Sequence, residues 1–583
     1  MRAIRFDFAM VRVLAAAALL AVAATPGGIH PIYESDQPVF ADTPIDKLVF
    51  PKLAQLRMQP VLCSDAVFVR RAFLDVIGTL PTAEEAKQFI RDPDRNKRRI
   101  LIDKLLERPE YAEYWAMRWS DILRIKAEFP VNLWPNAAQA YHRWVLESLR
   151  QNKPYDKFAR ELLTSSGSNF RVGPANFYRA AASRTPEGLA TVVALTFMGT
   201  RVDKWPPEKL AGMAAFFAQV GYKPTSEWKE EIVFWDPLGI SKTPGQTAPG
   251  RDAIVVTNIA TGAVPPPVSP PREAVFPDGR KIILPPDRDP RDIFADWLIR
   301  PDNPWFAKAI VNRIWYWLLG RGIIHEPDDI RPDNPPSNPA LLAYLEKELI
   351  SSGYNLKHIY RVILNSKTYQ MTSVPRYTGP EAEANFAVYP LRRLDAEVLI
   401  DAINMITGTS DLYTSPIPEP FTYIPENVRA IGIADGSITS PFLTMFGRTA
   451  RATGMENERD NRPLPSQWRP LLNSSHIQQK IERSPVLRKI WESDESPTQI
   501  LEQLYLMTLS RFPTPEELKK AMDYGNFEVM SQAASTRSSP PPKGKAASKA
   551  AYVARQALTQ RQREAWVDLT WALINSHEFL YRH

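Results

Sequence analysis

The sequence predicts a mainly α, multi-helical two-domain protein with a small proline-rich, strand-containing insert. Apolar residues recur at helical spacing through two long blocks, residues 42–235 and 291–583. Many of these segments open on Ser or Thr and several stop at Gly, residues that satisfy or release the free backbone groups at helix ends. Between the blocks, residues 236–290 lose the helical period and become rich in turn formers. Proline supplies 54 of 583 residues, well above the roughly 5% of average usage. The helices are therefore expected to be short, with long connections.

At the N-terminus, Arg2, Arg5 and Arg12 precede "VLAAAALLAVAA" (13–24), an apolar run of 12 residues. A bilayer span needs about 20, so residues 1–41 read as a signal peptide and leader, with "AVA" or "VFA" as the cleavage context. Export to the periplasm or the outside is the expected location, with a retained signal anchor as the second choice. The rest of the sequence has no stretch of transmembrane length. An exported chain with one cysteine, Cys63, forms no internal disulfide. Cys63 reads as a small buried apolar residue.

From Ser64 the helices follow in order. "SDAVFVRRAFLDVIG" (64–78) has a Ser cap and a Gly stop, and "LPTAEEAKQFI" (80–90) places Thr82 and Glu85 at capping-box spacing. "KRRILIDKLLERPEYAEYWAMRWSDILRI" (97–125) gives two helices; Tyr111, Trp115, Trp119 and Ile122 form one stripe, read as core packing. Further helices are expected over 138–150, 155–164, 186–198 and 207–220. In the insert, "AIVVTNIATG" and "RKIILPP" read as short strands. Helices resume at 292, give way to an irregular stretch over 410–450, and return near 466–483 and 497–509. "FPTPEELKKAM" (512–522) echoes "LPTAEEAKQFI", with Thr514 and Glu517 as its capping pair. Residues 531–551 are low in complexity and read as a loop, before a last helix that docks on the core.

Several chemistries are disfavoured by what is missing. The seven histidines lie outside ligand spacing of one another, and there is no zinc-type signature, G-x-S-x-G elbow or P-loop. One cysteine rules out C-x-x-C-H haem attachment and dithiol redox work. The net charge of +7 mixes both signs, the pattern of a solvated surface and not of a nucleic-acid footprint. What remains are four polar clusters in apolar context: Asn312 and Arg313; Asp328, Asp329, Arg331 and Asn334; Arg392, Arg393, Asp395 and Glu397; Glu456, Glu458 and Arg459. Carboxylates beside arginines suit an acid/base pair or a cation site, or equally buried ion pairs and helix caps. Asp328, Asp329, Glu456 and Glu458 are the catalytic candidates; the other members of the clusters are binding candidates.

Long segments also resemble a known pair of domains. "FVRRAFLDVIGTLPTAEEAKQFI", "RPEYAEYWAMRWSDILR" and "KPYDKFARELL" resemble the first, and "DPRDIFADWLIRPDNPWFAKAIVNRIWYWLLGRGIIHEPDDIRPDNPPSNPALLAYL", "FGR", "LLNS" and "DLTWALINSHEFLYRH" the second. These are the planctomycete-type cytochrome-associated domains of unknown function numbered 1549 and 1553. The resemblance implies an exported helical protein, often encoded beside a sulfatase-like partner. Relatives carry a Cys-x-x-Cys-His stretch where this chain runs from Gly199 to Trp205, and a Cys-Glu-Cys-Glu-Arg stretch where it has Met455, Glu456, Asn457, Glu458 and Arg459. In relatives the two stretches are expected to form one metal or haem site, which this chain lacks, so neither cofactor nor metal is expected, although a loosely bound cation stays open. The functional expectation is a cell-envelope scaffold or binding protein for a glycan or protein partner. The alternative is a glycan-directed hydrolase using paired carboxylates.

Overall fold

The computed structural model describes residues 28–239, 241, 271–461, 475–527 and 545–583. Helices dominate, accompanied among the described residues by three small antiparallel sheets. Residues 1–27 of the expected leader, the "AIVVTNIATG" segment expected to be a strand, and the "LLNS" segment lie outside the described residues.

Helix Pro109–Ile122 is buried along most of its length. Its stripe is core, as the spacing predicts: Trp115 and Trp119 are each 1% exposed. Both rings meet Trp317 of helix Phe306–Leu319, at centroid distances of 5.2 and 6.0 Å. A buried tryptophan removes on the order of 200 Å² from water, about 5 kcal/mol of gross stabilisation. This contact therefore welds the two blocks. Further helix pairs cross between them: Pro44–Gln55 on Pro339–Ser351, Lys97–Glu107 on Leu356–Leu364, Tyr155–Thr164 on Pro290–Leu298, Ala83–Arg91 on Pro497–Leu509, and Pro186–Met198 on Phe306–Leu319. One apolar core runs through both.

Local capping explains many helix starts. Thr82 and Thr514 each close a capping box with Glu85 and Glu517, and Ser64 caps Asp65–Ile77, which stops at Gly78 in the left-handed region. Cys63 is fully buried. The helix expected over 207–220 ends at Ala214, passes through a 3-10 turn over Ala215–Phe217, and becomes strand Val220–Pro224. That strand pairs antiparallel with Glu231–Trp235, Val220 opposite Trp235, and Gly167–Ser168 adds a third strand. The helix expected over 138–150 already starts at Pro135.

In the described part of the insert, Glu273–Val275 and Lys281–Ile283 form a hairpin. It is pinned where Phe276 packs on Phe216 and Trp297, at 4.7 and 5.2 Å. The stretch 410–450, expected to be irregular, contains a 3-10 turn over Ala430–Gly432 and helix Pro441–Met445. Residues 545–551, expected to be loop, are helical, because helix Lys545–Ile574 starts inside that segment. Among the described residues no helix is long and apolar enough to cross a membrane.

Candidate functional site

All four polar clusters send residues into the interior around Arg313 and Arg459. Arg313 lies on helix Phe306–Leu319 and is fully buried. Its guanidinium donates to the carbonyls of Thr196 and Leu195 at 2.9 and 3.3 Å, near the end of helix Pro186–Met198 where carbonyls lack helical partners. It also donates to Asp328 Oδ1 at 2.7 Å and lies 3.4 Å from Glu456 Oε1. Asp328 Oδ2 accepts the Glu456 backbone N–H at 2.7 Å, and Glu456 Oε1 accepts Trp317 Nε1–H at 2.7 Å. Burial pushes the Glu456 carboxyl up to about 7; Arg313 draws it down and Asp328 adds to the rise.

A second lattice continues from Arg459. It donates to Asp121 Oδ2 at 3.0 and 2.7 Å and to the two Glu397 oxygens at 2.7 and 3.1 Å. Asp121 also takes Arg451 at 3.0 Å, and Glu397 lies 3.3 Å from Arg448. Asp395 accepts from Arg582 at 2.6 Å, Arg118 at 3.1 Å and Asn461 at 2.6 Å. Burial opposes ionisation of Asp395 and Glu397, but the surrounding guanidinium groups outweigh it. They hold Asp395 far below the usual carboxylate range and Glu397 near about 2. Every one of these carboxylates is engaged by arginine inside the fold.

The other candidates serve nearby backbone. Asn312 clips the turn by donating to the Ile324 carbonyl and accepting its N–H, both at 2.9 Å. Asn334 donates to the carbonyls of His325 and Asp329 at 2.9 Å. Asp329, half-buried, lies 3.3 Å from both Arg201 and Arg331. Arg392 donates to the Trp317 and Leu318 carbonyls at 3.0 and 2.7 Å, and Arg393 to those of Phe446 and Asp460 at 2.7 and 2.9 Å. Glu458 accepts the N–H groups of Ala452 and Thr453 at 2.8 and 2.9 Å. The sequence reading missed Arg118, Asp121, Arg451 and Arg582, buried partners on other elements. Arg118 and Asp121 stand three apart on helix Pro109–Ile122, the one local signal that a charged pair shares that face.

The two stretches where relatives are expected to carry cysteines both border residues 328–330. Ile330 N–H donates to the Gly199 carbonyl and Thr200 Oγ1 to the Ile330 carbonyl, both at 2.9 Å. Asp328 then reaches Glu456. The donor set at this junction is the carboxylates of Asp328, Asp329 and Glu456, already held by Arg313, Arg201, Arg331 and Trp317, without thiolate or imidazole, and it does not fit a haem or a thiolate-bound metal. Among the described residues no three His, Cys, Asp or Glu side chains are grouped to hold a metal ion.

A surface cavity of about 610 Å³ lies apart from these clusters, between helices Pro441–Met445 and Ser475–Glu482 and the loop at 409–412. Asp411 Oδ1 accepts from His476 Nε2 at 2.9 Å and lies 3.1 Å from Lys480 Nζ. Burial pushes the Asp411 carboxyl up, but the hydrogen bond from His476 and the charge of Lys480 outweigh it and hold it low. Lys480 Nζ further donates to Asn404 Oδ1, Thr409 Oγ1 and the Ser410 carbonyl at 2.8, 3.1 and 2.8 Å. The sequence carried a signal for this wall: His476, Gln479, Lys480 and Arg483 recur at helical spacing.

The fold and its interior define a helical protein whose buried charged clusters are bound into the frame that joins two blocks. Residues 44–221 match the family described as PSCyt2, protein of unknown function (DUF1549), and residues 290–524 match PSD1, protein of unknown function (DUF1553). Together the matches span well over half of the chain, which belongs to this family of paired domains. No curated protein and no solved structure matches it.

Proposed function

We propose that the protein is an exported cell-envelope scaffold or binding protein that holds a glycan or a protein partner and carries no metal or haem. The observation that supports this reading most is the fate of the carboxylates. Asp328 and Glu456 are 4% and 8% exposed and spend their oxygens on Arg313, Trp317 and a backbone N–H. Glu458 caps a loop, and Asp329 pairs with Arg201 and Arg331. Hydrolysis of a glycan needs two carboxyl groups flanking an accessible bond, so the hydrolase alternative has little to draw on.

Binding draws support from exposed aromatic rings. Trp228, Tyr423 and Phe421 are 67%, 72% and 48% exposed, and Phe421 packs on Trp134 at 5.5 Å. Lys229 Nζ lies over both Trp134 and Trp228, at 5.8 and 5.0 Å. Rings of this kind stack on sugars or anchor partners. A sulfatase-like envelope partner, implied by the family resemblance, belongs to the same reading. Incubation of the purified protein on a glycan array, with product analysis, tests it: retention without cleavage is expected, and cleavage without retention would count against it. Co-purification from the native envelope tests the protein partner.

A further inference from the structure

Trp134 holds an unusual backbone for a residue of its size. It lies at φ +73°, in the left-handed region, as do Asn132 at +56° and Lys229 at +62°. That region crowds a Cβ, and a bulky residue stays there only where its surroundings impose it, often where a ligand is gripped. Here the surroundings are hydrogen bonds. Leu133 and Trp134 donate their N–H groups to the Lys126 and Ala127 carbonyls at 3.2 and 3.3 Å, and the Leu133 carbonyl accepts from Arg179 at 3.3 Å. The N–H groups of Ala127 and Glu128 go to the Asp435 and Ser437 side chains, both at 2.9 Å.

Two further loops bring rings to Trp134. Loop 418–427 does so through Phe421, and loop 223–230 through Lys229, whose Nζ stands over both Trp134 and Trp228. Each loop is closed on itself: Phe421 and Thr422 donate to the Pro418 carbonyl at 3.1 and 3.2 Å, and Thr225 N–H to that of Glu230 at 3.1 Å. Surfaces ordered before a ligand arrives lose less entropy on binding it. Lys229 makes no ion pair among the described residues, so its ammonium keeps donors for a ligand.

The composition of loops 126–134, 223–230 and 418–427 selects the ligand class. Phe129, Trp228, Phe421 and Tyr423 are exposed, whereas no leucine, isoleucine or valine is; the other exposed residues are prolines and hydrogen-bonding side chains. Methionine and arginine, which accompany aromatic rings at protein interfaces, are absent from all three loops. Exposed Glu227, Glu419 and Glu426 outnumber exposed Lys223 and Lys229, which disfavours an anionic lipid surface or an anionic polymer. Flat apolar faces interleaved with hydrogen-bonding groups, and little net charge, match a sugar: a C–H face with hydroxyls at its rim.

We propose that this three-loop platform binds a neutral polysaccharide. The C–H faces of sugar rings lie on Trp228 and Phe421, Lys229 Nζ donates to sugar oxygens, and Asn132 and Glu227 take hydroxyls. Rings presented by separate loops offer several stacking positions, which suits a chain over a single sugar. The proposal rests on the binding-protein reading and names the ligand class and the site within it.

Calorimetric titration of the full-length protein with cellohexaose, maltohexaose, mannohexaose and hexagalacturonate tests it, beside sedimentation with phosphatidylglycerol vesicles. At least one neutral hexasaccharide is expected to bind, with hexagalacturonate at least about tenfold weaker. Trp228→Ala and Phe421→Ala, both changes at exposed side chains, are each expected to weaken the neutral sugar about tenfold or more with an unchanged thermal melt. Ile283→Ala, at an exposed apolar residue of the hairpin, leaves binding unchanged. No neutral hexasaccharide bound at millimolar concentration, or hexagalacturonate bound more tightly than every neutral one, overturns the proposal. So does vesicle binding that Trp228→Ala abolishes, which assigns the platform to a lipid surface. Glycan retention on the array that Trp228→Ala and Phe421→Ala leave untouched overturns the platform assignment while the binding-protein reading stands.

Discussion

Replacing Arg459 by methionine keeps much of the side chain's length and removes its charge. In the native protein this guanidinium makes four hydrogen bonds, two to Asp121 Oδ2 and one to each Glu397 oxygen, and lies 3.7 Å from Asp395. Its side chain is 4% exposed, so solvent cannot take over its role. After the change Asp121 keeps Arg451 and Glu397 keeps Arg448, but the freed carboxylate oxygens stay buried. Breaking one partner out of a buried pair costs about 3–5 kcal/mol. In urea unfolding at pH 7, followed by tryptophan fluorescence, that cost moves the midpoint down by on the order of 1 M.

The pH dependence adds a sign. Glu397 titrates near about 2 in the folded protein, below its ordinary value. Its pairing therefore contributes fully above the unfolded value of about 4.3 and fades as pH falls toward 2. The deficit of Arg459→Met is expected to shrink on acidification from pH 5 to pH 2.5. A midpoint shift below about 0.2 M at pH 7, the behaviour of an exposed pair, would refute the view that this lattice holds the two blocks together.

Glu456→Gln has the opposite sign. The Glu456 carboxyl is raised to about 7, so its protonated form stabilises the fold below about pH 4.3 and that contribution is lost as pH rises through 7. Glutamine keeps an acceptor for Trp317, and the variant is expected to gain on the wild type between pH 5 and 8, by up to about 3 kcal/mol; parallel urea midpoints over that range would contradict it. Gly199→Ala tests the shortened turn: Gly199 has φ +57° and an added Cβ would lie 2.8 Å from the Pro327 carbonyl. A loss of about 1–2 kcal/mol in thermal or urea unfolding is expected, and wild-type stability would count against the packing described. Elemental analysis of the purified protein is expected to find neither iron nor zinc near one equivalent; a stoichiometric metal would overturn the reading of residues 199–205 and 455–459 as cofactor-free.

Much of the helical frame was legible because its signals are local. Thr82 with Glu85, and Thr514 with Glu517, specify their helix starts within four residues. Strand Val220–Pro224 was not legible, since its pairing with Glu231–Trp235 depends on partners across a turn and the apolar run from Met213 to Val220 reads as helix. For the clusters, residue types pointed to charge chemistry but burial and partners did not show. Asp121 lies 338 residues from Arg459 in sequence and bonds it directly. In the cavity, the His476, Gln479, Lys480 and Arg483 face follows from spacing, while Asp411 arrives from a loop that no periodicity places beside it.

The central claim is that the chain binds and holds while its buried carboxylates serve the frame. The most direct measurement offers the full-length protein the polysaccharide it retains and counts newly released reducing ends, for the wild type and for Glu456→Gln. The account predicts retention by both and no release by either. Release by the wild type that Glu456→Gln abolishes would contradict it.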